Sequence, residues 1–382
     1  MRVGPLYLAG FTTAFGAHGV AAALGTETDR LGISFIGLGL ILAIYDIAEV
    51  VLKPIFGALS DRIGITPVIV GGLAVFAAAS VLGIFASTPT LLAVARLGQG
   101  AAAAAFSPAS SAAVARLAAP GTAGRHFGRY GSWKGLGYAA GPLIGAVLIM
   151  WAGLPALFAV LAVLALGAAI WTLVSLPPIA VLPKVRATLV ELVRQSTARS
   201  FVAPVILLAT ATAVLGVAVG FLPYLGTRIG LEPIASMAAV TVLAVLSAVI
   251  QPRIGRLHDS APHRSRSLML GAGVLLSTGL LIVAVAPSAV TLYVAAAMIG
   301  VGVGVVTPLG FATLAAVTPP DRMGRTMGSA ELGREVGDAG GPILVGLVAA
   351  AATLPIALAT LGALALLTTA VGSGLQRVPR RR

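Results

Sequence analysis

Hydrophobic residues run through this chain in long uncharged blocks. Pro67 to Ala86, Leu154 to Leu176, Ser267 to Ala286, Val290 to Val306 and Pro355 to Val371 carry almost no charge over about 17 to 23 residues. That is the length at which a helix crosses a hydrocarbon core of roughly 30 Å. Read end to end, the blocks predict helical spans over about residues 4–24, 34–56, 67–86, 89–114, 131–150, 154–176, 201–222, 235–254, 267–286, 290–316, 328–350 and 354–373. The stretch 177–200 contains Pro177-Pro178, Pro183, Lys184, Arg186, Glu191, Arg194 and Arg199, and reads as a basic linker between two six-helix bundles, 1–176 and 201–382. The linker is expected on the cytoplasmic side, because each half has an even number of spans. Connections around Ser87-Thr88-Pro89, Gly153 and Pro287-Ser288 are short, which leaves no room for a soluble catalytic domain.

The punctuation between the blocks repeats. Ser107-Pro108, Pro120, Gly124-Arg125, Gly128, Gly137 and Gly141-Pro142 return as Thr307-Pro308, Pro320, Gly324-Arg325, Gly328, Gly337 and Gly341-Pro342, each shifted by 200. Lys53-Pro54-x-x-Gly57-x-Leu59-x-Asp61 returns as Gln251-Pro252-x-x-Gly255-x-Leu257-x-Asp259, shifted by 198. Two halves with matching punctuation predict two pseudo-symmetric bundles, and in an apolar chain a transport site between them. The fold class expected is all-α integral membrane, and the N-terminal apolar run reads as the first helix rather than a signal peptide.

Composition and charge sharpen this. With 58% hydrophobic and 10% charged residues over 382 positions, the bilayer must be the solvent. The net charge of +13 is not the footprint of a nucleic-acid partner: Arg30 and Arg228 fall in external segments, Arg96, Lys134 and Arg334 within spans, and the rest of the 25 Lys and Arg in cytoplasmic segments. That asymmetry is the positive-inside pattern. It implies a multi-pass protein of an inner or plasma membrane with both termini cytoplasmic. Cysteine is absent, so thiolate metal sites and disulfides are excluded. His18, His126, His258 and His263 are dispersed, and no metal-ligand spacing, Ser-His-Asp set or Gly-x-x-x-x-Gly-Lys-Ser/Thr loop occurs. Neither an enzyme nor an ATP-driven pump is expected, and no cofactor is implied.

Gly57-x-Leu59-x-Asp61-Arg62-x-Gly64, between the second and third spans, resembles the best-known motif of the major facilitator superfamily, with a degenerate copy at Gly255-x-Leu257-x-Asp259. The resemblance covers nearly the whole chain. Glycine permits close helix packing, and a short carboxylate can cap a neighbouring helix N-terminus, where the dipole favours negative charge. The resemblance implies a conformational latch in which Asp61 holds the start of the eleventh helix. After Gly64 the chain departs from the pattern, with Ile65-Thr66-Pro67 in place of the usual basic pair. Arg96-x-x-Gln99-Gly100 is similar to a motif frequent in proton-coupled members; its counterpart in the second half, Ala296, is uncharged. Gly137-x-x-x-Gly141-Pro142-x-x-Gly145, echoed at Gly337-x-x-x-Gly341-Pro342, resembles the motif of antiporters and drug exporters. Small residues four apart also serve plain helix packing, with proline weakening the helix.

Ionisable side chains at bilayer depth cost at least about 2.5–3.5 kcal/mol on insertion scales, so each is a functional candidate. Asp46 and Glu49 share a face of the second span; Glu331, Glu335 and Asp338 form an i, i+4, i+7 stripe on the eleventh, with Arg334 beside them. At 1.5 Å per residue Asp46 and Asp338 both lie roughly 15 Å deep, where they could meet. Asp46, Glu49, Glu335 and Asp338 are the candidate proton carriers, with Arg96, Lys134 and Arg334 as charge partners; for Glu49, the alternative is a static pair with Lys53. Candidate cavity residues are His18, Phe11, Phe15, Tyr45, Gln99, Phe106, Phe221, Tyr224 and Phe311, in surroundings of Ala, Val and Gly that suit amphipathic rather than sugar-like substrates. The expectation is a secondary transporter working by alternating access as one chain, exporting amphipathic small molecules in exchange for protons. The alternatives are uptake or facilitated transport of a small anionic metabolite centred on Arg96, and a lipid-handling or sensor protein of the same fold.

Overall fold

The computed structural model describes residues 3–31, 35–181 and 198–375. Most of the expected linker and the basic C-terminal tail lie outside the described residues. Among the described residues the chain is helical: α1 (Gly4–Leu31), α2 (Phe35–Ile63), α3 (Ile65–Ile84) and α4 (Pro89–Leu117), then a helical stretch Ala123–Ser175. That stretch breaks at Ala152 (φ −144°, ψ 19°) and Gly153 (φ 72°, ψ −179°) into α5, residues 123–151, and α6, residues 154–175. There follow α7 (Arg199–Arg228), α8 (Pro233–Ser260), α9 (Ser265–Val285), α10 (Ala289–Val317), α11 (Met323–Ala351) and α12 (Leu354–Leu375), with single 3₁₀ turns before α9 and α11.

Local chemistry explains the stops and starts. Gly64 adopts φ 105°, a conformation L side chains rarely enter, and so turns α2 into α3 within one residue. Thr88 caps α4 by accepting from Leu91 N at 3.3 Å, with Pro89 in the first helical position, where no N–H is needed. Six of the prolines inside helices form repeat-related pairs: Pro54 and Pro252, Pro108 and Pro308, Pro142 and Pro342.

Seven helical segments among the described residues are long and apolar enough, by length and composition alone, to cross a membrane. α11 is not among them, because Arg334, Glu335 and Asp338 interrupt its apolar stretch. Those charges are among the groups the site is built from.

The chain divides into two compact units. Unit 1 comprises Met1–Ala118, Trp133–Lys184 and Thr318–Leu332; unit 2 comprises Ala119–Ser132, Val185–Val317 and Gly333–Arg382. In unit 1, α4 packs against α1, α2 and α3. A Cβ on Gly100 of α4 would collide with the Tyr45 backbone of α2, and one on Gly72 of α3 would lie 3.1 Å from the Ala102 carbonyl oxygen, so these helices approach at backbone distance. In unit 2, α10 packs against α7, α8 and α9. There a Cβ on Gly300 would collide with the Leu243 backbone of α8. Gly100 with Tyr45 and Gly300 with Leu243 are the same contact under the 200 and 198 shifts, so the internal repeat extends to packing.

Candidate functional site

Two carboxylates sit at equivalent helix ends. In unit 1, Asp61 near the end of α2 accepts from Gly324 N at 2.7 Å and Arg325 N at 2.8 Å, the first-turn amides of α11. These N–H groups have no partner within their own helix and lie at its positive end. Burial pushes the Asp61 carboxyl above its ordinary value, against the opposing pull of the two N–H bonds and of nearby Arg325 and Arg116. The helices meet here through glycine: a Cβ on Gly57 would lie 2.6 Å from the Gly324 carbonyl oxygen, and one on Gly328 would lie 2.8 Å from that of Lys53. Gly64 supplies the turn that follows, and Arg62 is exposed.

Unit 2 repeats the arrangement. Asp259 on α8 accepts from Gly124 N at 2.8 Å and Arg125 N at 2.9 Å, in the first turn of α5. Cβ atoms on Gly124 and Gly255 would strike each other's carbonyl oxygens, and one on Gly128 would strike that of Gln251. About one turn further along, a Cβ on Gly131 would strike the Gln251 side-chain amide. The repeat equivalents of Gly131 and Gln251 are Glu331 and Lys53.

The buried charges of unit 1 form two groups. On α2, Lys53 Nζ lies 2.8 Å from Glu49 Oε2, and Tyr45 donates to Glu49 Oε1 at 3.4 Å. Arg96 of α4, 2% exposed, stacks on the Tyr45 ring at 4.1 Å and donates to Gln99 Oε1 at 3.2 Å, while Gln99 donates to Ser80 at 2.9 Å. The second group joins three helices. Glu331 of α11 is completely buried; Lys134 Nζ of α5 lies 3.2 Å from its Oε2, and Ser111 of α4 donates to its Oε1 at 3.1 Å. Lys134 also donates to Ser107 at 3.4 Å. Glu331 belongs to the i, i+4, i+7 stripe read from the sequence but was not among its proton-carrier candidates; the signal missed is that Lys134, on a helix brought close only by folding, is its counter-ion.

The other predicted residues are divided between the two units. Asp46 is exposed although Glu49, three residues on, is buried, so the face they share in sequence straddles a burial boundary. In unit 2, Asp338 and Glu335 are half-buried, and Asp338 lies beside Gly216 of α7, whose Cβ would come 2.7 Å from its Oδ1. The Arg334 guanidinium lies 5.9 Å from the Phe311 ring centroid, and its carbonyl accepts from Thr212 at 2.7 Å. Phe311 also stacks on Phe127 at 5.4 Å.

The glycine-proline motifs are helix seats. A Cβ on Gly137 would lie 2.6 Å from the Phe11 carbonyl oxygen, and one on Gly141 would lie 2.9 Å from Gly19 N, so α5 lies on α1. Cβ atoms on Gly337 and Gly341 would strike the Ala209 and Ala213 carbonyl oxygens, so α11 lies on α7 in the same way. Pro142 and Pro342 directly follow these seats. Of the aromatic candidates, Phe15 stacks with Phe11 at 5.6 Å, Phe106 is fully buried against Phe76 at 5.8 Å, and Tyr224 is exposed. Phe221 is half-buried in unit 2. His18 sits edge-on to Tyr138 at 4.1 Å, with Nδ1 3.3 Å from the Ala14 carbonyl oxygen.

Known proteins share this architecture. The chain is 28% identical to the multidrug resistance protein MdtH of Yersinia enterocolitica over 320 residues, 81% of this chain and 77% of that protein. It is 34% identical to the inner membrane transport protein YajR of Escherichia coli over 128 residues, 34% of this chain and 28% of YajR. The human organic anion transporter MFSD10 (TETRAN) has the same fold, with a TM-score of 0.80 at 19% identity over 98% of this chain and 97% of that one. The family model of the Major Facilitator Superfamily matches residues 6–342, and the chain belongs to that superfamily of multi-pass membrane transporters.

Proposed function

We propose that the protein exports amphipathic small molecules in exchange for protons, by alternating access, as a single chain with both termini in the cytoplasm. The observation that carries this reading is the duplicated clasp: Asp61 on the start of α11 and Asp259 on the start of α5. Each clasp consists of two hydrogen bonds over a glycine contact. Such a contact can part and re-form without repacking a core. Its polar groups can exchange each other for water, which favours a two-state device over a permanent joint. The conformational latch therefore comprises Gly57, Asp61, Arg62 and Gly64 on one side and Asp259 on the other.

Export is supported by the likeness to MdtH, a multidrug resistance protein that matches over most of the chain, and by the paired Gly-Pro seats of α5 and α11. Proton coupling is supported by carboxylates on α2 and α11, Asp46, Glu49, Glu335 and Asp338, with cations at Arg96, Lys134 and Arg334. A carboxylate that meets a cation in one state and water in another changes its proton affinity between states, which is what coupling requires. The substrate cavity is assigned to faces carrying Phe15, His18, Tyr45, Gln99, Phe106, Tyr224 and Phe311.

The test is a proton-flux assay on purified protein in liposomes with an imposed pH gradient and an internal pH dye. The panel holds lipophilic cations, neutral drugs and organic anions. A lipophilic cation is expected to collapse the gradient, and Asp338→Asn to abolish the response. Folded protein that moves protons with no member of the panel overturns the antiport reading.

A further inference from the structure

We propose that Glu331 is the carboxylate whose protonation releases α11 from α5, so that proton uptake at this one side chain drives the helices apart; this rests on the reading of the chain as a proton-coupled exporter. Glu331 is 0% exposed, and its facing groups are supplied by three helices. α5 brings Lys134, 6% exposed, with Nζ 3.2 Å away, and α4 brings the Ser111 hydroxyl, while its Ser107 accepts from Lys134. From α2, the Lys53 backbone lies against Gly328, one turn before Glu331, and the Lys53 ammonium is held by Glu49 at 2.8 Å. On its own helix Arg334 and Glu335 follow three and four residues on.

Three comparisons single out this carboxylate. Glu49 and Lys53 lie on one helix, four residues apart, so their pair travels intact with any rigid movement of α2. Glu331 and Lys134 lie on different helices, and their pair must break if α5 and α11 part. Asp61 accepts from backbone N–H groups at a helix end, and the arginines near it, Arg116 and Arg325, are half-buried and exposed, so a proton there leaves no fully buried cation facing it. A proton on Glu331 removes the carboxylate charge that attracts Lys134 across the α5–α11 contact. With that attraction lost the buried joint is weakened, and separation of α5 from α11, which hydrates both groups, is favoured.

The repeat supplies the third comparison. At the equivalent contact in unit 2, Gly131 stands where Glu331 does and Gln251 where Lys53 does, and the Gln251 amide fills the space over Gly131. There a neutral amide lies over glycine where the first copy has Lys53 and Glu331, while the counterpart of Lys134 is still a cation, Arg334. The charge at Glu331 is therefore not a packing requirement of this contact but an addition to one copy of it.

The experiment uses full-length protein in liposomes and tetraphenylphosphonium as the probe, with two readouts: proton flux evoked by the probe, and probe-for-probe exchange without a pH gradient. Glu331→Gln is expected to lower evoked flux at least about tenfold, leaving exchange within about twofold of wild type and without pH dependence. Glu331→Asp is expected to keep coupled flux with a displaced pH profile. Wild-type coupling in Glu331→Gln overturns the assignment and leaves the antiport reading standing. Loss of both flux and exchange in folded Glu331→Gln makes Glu331 a structural strut and also overturns it. If Glu331→Gln does not fold, a Glu331→Asp profile identical to wild type overturns it. Absence of evoked flux in wild type removes the antiport reading and this assignment together.

Discussion

Each oxygen of the Asp61 carboxylate takes one backbone N–H of α11, from Gly324 and Arg325, and each oxygen of Asp259 takes one from Gly124 and Arg125 of α5. An aspartate suits this place because its side chain is short enough to lie against a helix end while both oxygens remain free to accept. For Asp61, burial outweighs the N–H bonds and the nearby arginines, so its proton affinity in the docked fold exceeds that of an exposed aspartate. A group with a raised folded value contributes stability that is complete below the ordinary aspartate range and is lost as pH rises through the raised value. Wild type should therefore lose thermal stability relative to Asp61→Asn as pH is raised from about 4 to about 7. Unfolding of the detergent-solubilised proteins checks this. A wild-type protein that gains on the variant over that range would mean that the N–H bonds and arginines outweigh burial. The aspartates and glycines of both clasps were legible in the sequence as a motif and its copy, because backbone approach and helix capping demand particular residue types. The Glu331 partner was not: nothing in the spacing of α11 distinguishes a counter-ion on the same helix from one 197 residues away.

At the scale of elements, hydropathy located the helices but not their ends. The spans expected at 34–56, 131–150, 235–254 and 328–350 become helices that run on to Ile63 and Ser260 or begin as early as Ala123 and Met323. The added turns are polar, with Ser60, Asp61 and Arg62 on α2 and His258, Asp259 and Ser260 on α8, so an apolar window cannot see them. They persist as helix because the clasps satisfy their polar groups and Gly64 provides a stop. The glycine contact beneath each clasp sets how closely two helices can lie. Gly57→Val and Gly255→Val each place atoms where a facing carbonyl oxygen stands. Overpacking of this kind costs about 1–3 kcal/mol, which corresponds to roughly a five- to 150-fold fall in the docked population. Spin labels at the clasped ends of α2 and α11 should show the Gly57→Val distance distribution moved to longer values. An unchanged distribution would mean that the contact yields without parting the helices. The break at Gly153 was expected as a short connection, and its positive φ is the local reason it can turn in so few residues.

At the scale of the molecule, the same contact vocabulary is used twice: Gly100 on Tyr45 and Gly300 on Leu243, α5 on α1 and α11 on α7, two aspartates on two helix starts. The copies differ in charge, and that difference is where coupling is proposed to reside. The distribution of Lys and Arg predicts which side each loop faces, and the absence of cysteine makes the prediction clean to test. A single Ser87→Cys should react with an impermeant maleimide applied to intact cells, whereas Ser260→Cys should react only after permeabilisation. The reverse pattern would invert the proposed orientation.

Sequence alone determined the class of solvent, the helical architecture, the internal duplication and the family, because each depends on composition, block length or a local motif that a linear pattern displays. Only the tertiary structure decided which buried charges face one another. Asp46 and Glu49, three residues apart, fall on opposite sides of a burial boundary, while Lys134 and Glu331, far apart in the chain, form one ion pair. The reason is physical: a counter-ion is chosen by distance and dielectric in the folded state, and the helix packing that sets both depends on contacts between residues hundreds of positions apart.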